Sequence, residues 1–366
     1  METCPYKALS VLESLSTSIL PYKNCPATAS ISACCTALQS TSLSSSLHDP
    51  SSPIYHTSQA TYWRVDNTEF YPSCIVQPRS ASDVSIALST LASANDHTPQ
   101  CRFAIRAGGH STLVGGTNVD YGVTVDLSVL NGTTYDEEKR IASIGPGARW
   151  KGVYGALAEH GVGVAGGRGG TVGVGGFLVG GGNSRQTDLE GLVGELEPES
   201  GLHSSFFTLT FANDAAILKK AVEIQERLIG EVKKVAKSDE WNIKSLYQPL
   251  PGFFAEIGRK KGGNVLGLDE GRDYILDLLW LTWDHVDDTA LFDWVGKMFM
   301  GELDDFAQSA GGDYPYDYLN YAADSQNPLR SYGEENLDFL KTLAKEPDPQ
   351  GIFQTQLHGG FKVSLA

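Results

Sequence analysis

The sequence lacks several patterns that mark particular classes of protein. No run of about 18 or more apolar residues occurs, so no membrane-spanning helix is predicted. No Cys-x-x-C pair occurs, which leaves a zinc or dithiol site without support, and no metal is predicted. Basic residues are scarce: 28 Lys and Arg stand against 44 Asp and Glu, a formal net charge of −16. Nucleic acid and anionic membranes are therefore not expected as partners, because both repel an acidic chain.

The chain is long and rich in glycine. Its 366 residues predict two domains, and a hydrophobic fraction of 41% excludes wholesale disorder. The 40 glycines follow no Gly-X-Y period, which excludes collagen. The first residues lack the basic and apolar regions of a secretory signal, so none is expected and the compartment is not predicted.

The cysteines allow two interpretations. All six lie within the first 101 residues, and an Asn-x-Thr sequon begins at Asn131. Together these features favour an oxidising compartment with disulfides, whereas buried thiols account for the cysteines equally simply. Residues 27–52 contain 12 Ser or Thr and almost no charge, which predicts a poorly packed lead-in that a disulfide could attach to the body.

Hydrophobic spacing predicts both helices and strands. A strand at 73–78, a helix at 80–96 and a strand at 102–109 form a β-α-β unit. Further predicted elements are strands at 122–128, 140–148 and a buried one at 273–283, helices at 149–161, 213–237, 290–308 and 335–345, and a turn at 348–351.

Two glycine-rich segments carry the clearest functional signal. The first is Arg106–Ser111, which follows a strand, and the second is Gly166–Gly176, which continues to Ser184. Glycines let successive N–H groups form a concave site for anions such as phosphate, to which Arg106 or Arg168 could add charge. Tight turns without a ligand are the alternative, but two clusters, each beside an Arg and a hydroxyl residue, favour a ligand.

A dinucleotide fingerprint and a metal-binding or triad histidine have weaker support. The letters of the fingerprint occur at 161–166, but more glycines follow where a helix is required. His110 has no metal-ligating neighbours at suitable spacing, and no Gly-x-Ser-x-Gly elbow supports a triad. A lone histidine is usually a satisfied polar residue, although Gly109 and Ser111 make this one more open to a ligand than most.

The order of motifs resembles a known family. RAGGHS, VTVDLSVLN, IGPGARWKGVYGAL, GGRGGTVGVGGFLVGGGNS and, near the end, YLNYAADSQNPLRSYGEENLDFLKTL with DPQGIFQ resemble flavoprotein oxidases of the vanillyl-alcohol oxidase and berberine-bridge-enzyme type. The particular resemblance is to fungal FAD-linked oxidoreductases of secondary-metabolite biosynthesis. It extends over residues 55–184 and 240–360.

The resemblance implies an α+β fold. A two-subdomain FAD-binding domain of the p-cresol methylhydroxylase (PCMH) type would be joined to a mixed α/β substrate domain with an antiparallel sheet and helices, both incomplete. The implied division is a lead-in at 1–54, the FAD-binding domain at 55–184, a shortened substrate domain at 185–330 and a berberine-bridge-like terminal segment at 331–366. Family members are often secreted or vesicular.

The resemblance also implies the roles of individual residues. His110 would be bonded covalently to FAD, and the segment just before the second loop has no cysteine to add another anchor, so at most a single histidyl bond is implied. The implied cofactor-binding residues are Arg106, Gly108, Gly109, Ser111, Thr112, Thr171, Gly173, Val174, Gly175 and Asn320. Tyr318 and Tyr321 are the candidate catalytic bases, although aromatic packing explains these tyrosines equally well, and His285 is a weaker candidate.

Two functional interpretations stay open. In the first, the protein is an FAD-dependent oxidoreductase that acts on a small-molecule intermediate and uses O2 as electron acceptor; its oligomeric state is not predicted. In the second, it is a degenerate relative or a truncated gene product that no longer holds FAD. The second arises because residues 185–212 do not resemble the strands that follow the glycine segment in the family, and such a deletion would leave sheet edges unpaired.

Overall fold

The first half of the molecule has a small sheet flanked by helices. The computed structural model describes residues 32–97, 101–182 and 201–366. The elements of the first half are α1 (Ala33–Gln39), β1 (Leu47–His48), α2 (Pro53–Ala60), β2 (Cys74–Val76), α3 (Ala81–His97), β3 (Phe103–Arg106), β4 (Val123–Asp126), β5 (Thr133–Asp136), β6 (Ile141–Ile144), α4 (Trp150–Ala158) and α5 (Val174–Val179).

The strand order of this first sheet is β1-β2-β4-β3. Strands β2 and β3 both run parallel to β4, so the predicted β-α-β unit is confirmed, with β4 between its two strands. Arg106 at the end of β3 is opposite Asp126 at the end of β4. Parallel sheets bind ligands beyond the carboxyl ends of their strands, and the first glycine segment leaves β3 at this edge.

The predicted poor packing of the lead-in is wrong for its described part. Cys34, Cys35, Leu38 and Leu43 are buried in the core of the first sheet, where they pack against β2 and α3. The helical period places the first three of these side chains on one face of α1, which explains the packing despite the many Ser and Thr residues nearby.

The lead-in is attached by two disulfides. Cys34 is bonded to Cys101, and Cys35 to Cys74. The disulfide interpretation is therefore confirmed for these four residues, while the other two cysteines lie outside the described residues.

The second half contains a larger antiparallel sheet. Its order is β10-β7-β9-β8. The elements are β7 (His203–Ala212), α6 (Ala215–Val235), β8 (Trp241–Leu250), α7 (Phe253–Lys260), β9 (Tyr274–Trp283), α8 (Thr289–Ser309), β10 (Asp313–Tyr314), α9 (Glu334–Lys345) and α10 (Ile352–Thr355). The predicted α+β fold class is confirmed, as are the long helices of this half.

Strand β9 is buried over its whole length, as predicted for 273–283. Alternate residues such as Ile275 and Leu279 pack beneath α6 and α8, while Leu278 and Trp280 point to the opposite face of the sheet. A strand buried on both faces has no polar alternation, which explains its uniformly apolar sequence. The neighbouring strands β7 and β8 were not predicted.

The end of the chain returns to the first sheet. The predicted turn at 348–351 is present, with the N–H of Gly351 donating to the carbonyl of Asp348 over 3.0 Å. Beyond α10, Leu357 forms a parallel bridge with Phe103 of β3. In the described part of the chain, none of the helices combines the length and apolar character needed to cross a bilayer.

The disulfide between Cys34 and Cys101 closes a separation of 67 residues, so replacing both by Ala should lower the free energy of unfolding by about 2–4 kcal/mol. Chemical denaturation of the purified variant and the parent protein measures the difference. Alkylation of all four cysteines in denatured but unreduced parent protein would show instead that the bonds are absent.

Candidate active site

The two glycine segments meet at a backbone contact that leaves no room for side chains. A Cβ placed on Gly108 would lie 2.5 Å from the Cα of Gly173, and one placed on Gly173 would lie 2.6 Å from the Cα of Gly108. Gly109 follows with φ +65°, a conformation that favours glycine. The segments were predicted separately, and the structure brings them together at the carboxyl edge of the first sheet.

Helix α4 packs against the second glycine segment. The Trp150 ring is so close that a Cβ on Gly166 or Gly167 would lie within 2.4 Å of it. The Tyr154 hydroxyl donates to the carbonyl of Gly167 over 2.8 Å. Arg149, just before the helix, forms an antiparallel bridge with Gly173. The backbone of the segment is therefore held by rigid aromatic packing.

A cavity of about 720 Å³ lies between the glycine segments and the second sheet. Ten of the predicted site residues line it, namely Gly108, Gly109, His110, Ser111, Thr112, Gly173, Gly175, Tyr318, Asn320 and Tyr321. The residues predicted to bind the cofactor and the residues predicted to act on the substrate thus line the same cavity.

Three predicted site residues have different surroundings. The Arg106 guanidinium donates to the Ser58 and Thr61 hydroxyls over 2.6 and 2.7 Å, which holds it behind the first segment rather than at the cavity wall. Val174 is buried in the core around α4. The carbonyl of Thr171 accepts a bond from the Arg149 side chain over 2.5 Å. Contact of these three with a cofactor stays a prediction.

His110 has an unusual environment. Its ring stacks on Trp63, with centroids 4.5 Å apart and planes inclined by 9°. Its Nε2 is buried and has no hydrogen-bond partner in the described structure. Burial lowers the pKa of His110 to about 4, so the imidazole is neutral at physiological pH and keeps a lone pair on one ring nitrogen.

A group of hydrogen-bonded side chains lies on the side of the cavity that the second sheet forms. Arg168 Nη2 donates to Gln248 Oε1 over 2.8 Å and to the Tyr321 hydroxyl over 3.0 Å. Gln248 Nε2 also donates to the Tyr321 hydroxyl, over 3.1 Å. Asn320 Nδ2 donates to the Tyr318 hydroxyl over 2.8 Å, and the two tyrosine rings meet edge to face.

Several cavity residues were not predicted from the sequence. The cavity wall contains Phe206, Leu246, Leu278 and Trp280 from the second sheet, and Trp63 stacks on His110 behind it. The uniformly apolar sequence of β9 was the available signal for Leu278 and Trp280, but the residues across the cavity are distant in sequence. The candidate base His285 is exposed and accepts a bond from the Asp287 N–H, so it acts as a cap and does not line this cavity.

The arrangement fits FAD. Successive backbone amides in glycine segments suit a pyrophosphate, and the contact between Gly108 and Gly173 would not tolerate side chains. The neutral His110 ring with an unpartnered nitrogen and the apolar sheet face suit a large conjugated ring. The cavity thus fits a protein that binds a nucleotide cofactor.

Comparisons with known proteins agree. A family model described as an FAD binding domain matches residues 72–196. FAD-dependent monooxygenase sdcF of Emericella nidulans is 29% identical over 482 aligned positions, which cover 92% of this chain and 100% of that protein. FAD-dependent monooxygenase drtC of Aspergillus calidoustus is 28% identical, with 91% of each chain covered.

A solved structure shows the same fold. It is 6-hydroxy-D-nicotine oxidase from Arthrobacter nicotinovorans, with a TM-score of 0.60, 14% identity and coverage of 84% of this chain and 96% of that one. The chain is therefore similar to FAD-linked oxidoreductases, its residues 72–196 match an FAD binding domain, and FAD is its cofactor.

Replacing Gly173 by Ala should reduce flavin content by about tenfold, because the new methyl group forces the two segments apart at a cost of about 1–3 kcal/mol. Flavin absorbance per chain in the purified protein measures this. Gly152→Ala is the matched control, since nothing lies within 4 Å of a Cβ at that helical position. Equal flavin content in both variants would contradict the role of the contact.

In flavin-free protein, His110 should stay neutral until the pH falls to about 4. The unfolded chain takes up this proton near pH 6.5, so the neutral ring stabilises the fold above pH 6.5 and that contribution is lost as the pH falls through about 4. An NMR titration of labelled histidines, assigned with His110→Ala, measures the pKa. An ordinary value would show that the ring is solvated.

Proposed function

We propose that this protein oxidises a small-molecule intermediate of a fungal secondary-metabolite pathway, with O2 as electron acceptor and with His110 as the covalent anchor of FAD. The relatives sdcF and drtC are FAD-dependent monooxygenases from fungi, which supports the substrate class and leaves oxidase and monooxygenase chemistry as variants of one proposal. The observation that carries it is the position of His110, a neutral, unpartnered imidazole that lines the cavity beside the glycine segments.

FAD, when bound, supplies a hydride acceptor that dioxygen can reoxidise. The glycine segments would hold its phosphates with backbone amides, which would let an acidic chain bind an anionic cofactor. Trp63 fixes the plane of the His110 ring through their stack. The apolar side chains Leu278 and Trp280 exclude water from the space where the substrate would lie.

Tyr321 is the better candidate for the base that removes the substrate proton. Its hydroxyl lies in the cavity beside two fixed polar groups, Arg168 and Gln248. The Arg168 charge stabilises a developing phenolate, and proton removal is the step that a positioned base accelerates. Tyr318 is more deeply buried and orients Tyr321 by edge-to-face packing at 4.7 Å.

A second candidate function is a non-catalytic relative without flavin. The alignment with sdcF spans 482 positions, more than the 366 residues of this chain, so that protein contains residues with no counterpart here. Loss of such residues favours this alternative only if they include cofactor contacts.

Acid precipitation of the purified protein separates the two functions. A yellow pellet is expected, since a covalent flavin stays with the chain, and His110→Ala should move the colour to the supernatant. His285→Ala is the control, because that exposed histidine does not line the cavity. A folded, colourless parent protein would support the non-catalytic alternative, and a yellow His110→Ala pellet would refute the anchor.

A further inference from the structure

Among the described residues, the cavity wall contains a single charged side chain. Among the described residues that line it, Arg168 is the only Lys, Arg, Asp or Glu. The chain as a whole has a net charge of −16, so this positive site stands out against an acidic background. Arginine carries its positive charge on a planar guanidinium, and the occupant of the cavity therefore meets a cation there.

Among the described residues, Arg168 has neutral partners only. Both of its described hydrogen bonds come from Nη2, one to Gln248 and one to Tyr321. No carboxylate of the described residues forms an ion pair with it. A guanidinium carries five N–H donors, and a half-buried one is stabilised when an anion pairs with it.

The position of Arg168 is fixed and belongs to the substrate side. Gly166 and Gly167 before it pack flat against Trp150, which leaves its backbone little freedom. Its hydrogen-bond partner Gln248 lies on β8, whose neighbouring residue Leu246 lines the same apolar wall. An anion beside Arg168 would thus lie next to the second sheet, where apolar side chains would surround the rest of the ligand.

We propose that Arg168, oriented by Gln248 and Tyr321, binds an anionic oxygen of the substrate. The substrate class is an aromatic or conjugated molecule with one acidic group, either a carboxylate or an ionised phenol or enol. Charge-assisted bonds from a guanidinium to such an oxygen are about twice as strong as neutral ones. This inference deepens the proposed function and rests on it.

The test uses pairs of probes that differ in charge and little in shape. Benzoate is compared with benzyl alcohol, and 4-nitrophenolate with nitrobenzene, by titration calorimetry of the holoprotein. The parent protein should prefer the anion of at least one pair, and Arg168→Gln should weaken that anion by about tenfold while the neutral probe is unchanged. The pair that responds identifies the acidic group.

Two further variants make the result specific. Lys244→Gln removes a positive charge 5.2 Å from the centre of the Trp280 ring but outside the cavity wall, and it should leave the preference unchanged. Arg168→Lys keeps the charge without the planar fork and should keep part of the preference, which provides a second measurement if the Gln variant does not fold.

Several results would overturn the inference. They are binding of neither probe pair, equal binding within both pairs, or an anion preference that survives in Arg168→Gln. If Arg168→Gln loses flavin and the probe selectivity is unchanged, the positive charge of Arg168 binds the cofactor and not the substrate. Flavin absorbance of the parent protein is recorded in the same samples, so failure of the proposed function appears separately as a colourless parent.

Discussion

The contact between Gly108 and Gly173 is the constraint on which the cavity depends. Two backbone segments, one from the edge of the first sheet and one supported by α4, approach so closely that neither can carry a Cβ. The contact holds the two segments close together at the wall of the cavity. Each segment alone is a turn, and only their apposition makes a binding wall.

One short stretch of chain connects the first glycine segment to the second sheet. The N–H of Trp63 donates to the carbonyl of Gly109 over 3.0 Å, and one residue later Arg64 pairs with Asp66, which also bonds to His203 at the start of β7. Although burial opposes it, these hydrogen bonds and charges lower the pKa of Asp66 to about 2. The His110 stack is thus tied to the sheet that faces it.

Local patterns predicted ten of the 20 helices and strands named above but not the way they meet. The β-α-β unit and helix α8 follow from spacing within about 20 residues, where sequence and structure share one period. Strand β8 was missed because it is an edge strand with exposed residues such as Lys244 and a proline, Pro249, that obscure its alternation. The cavity partners of His110 and Arg168 come from residues 63, 248 and 321, and contacts at such separations have no local signature.

The charge around the cavity comes from few side chains. The chain has a net charge of −16, so its overall charge does not attract an anion. Arg168 lies in the second segment, yet its hydrogen bonds reach across to Gln248 and Tyr321. Its positive charge therefore lies beside the apolar face of the second sheet. Neutral His110 adds no competing charge, because burial keeps its pKa low.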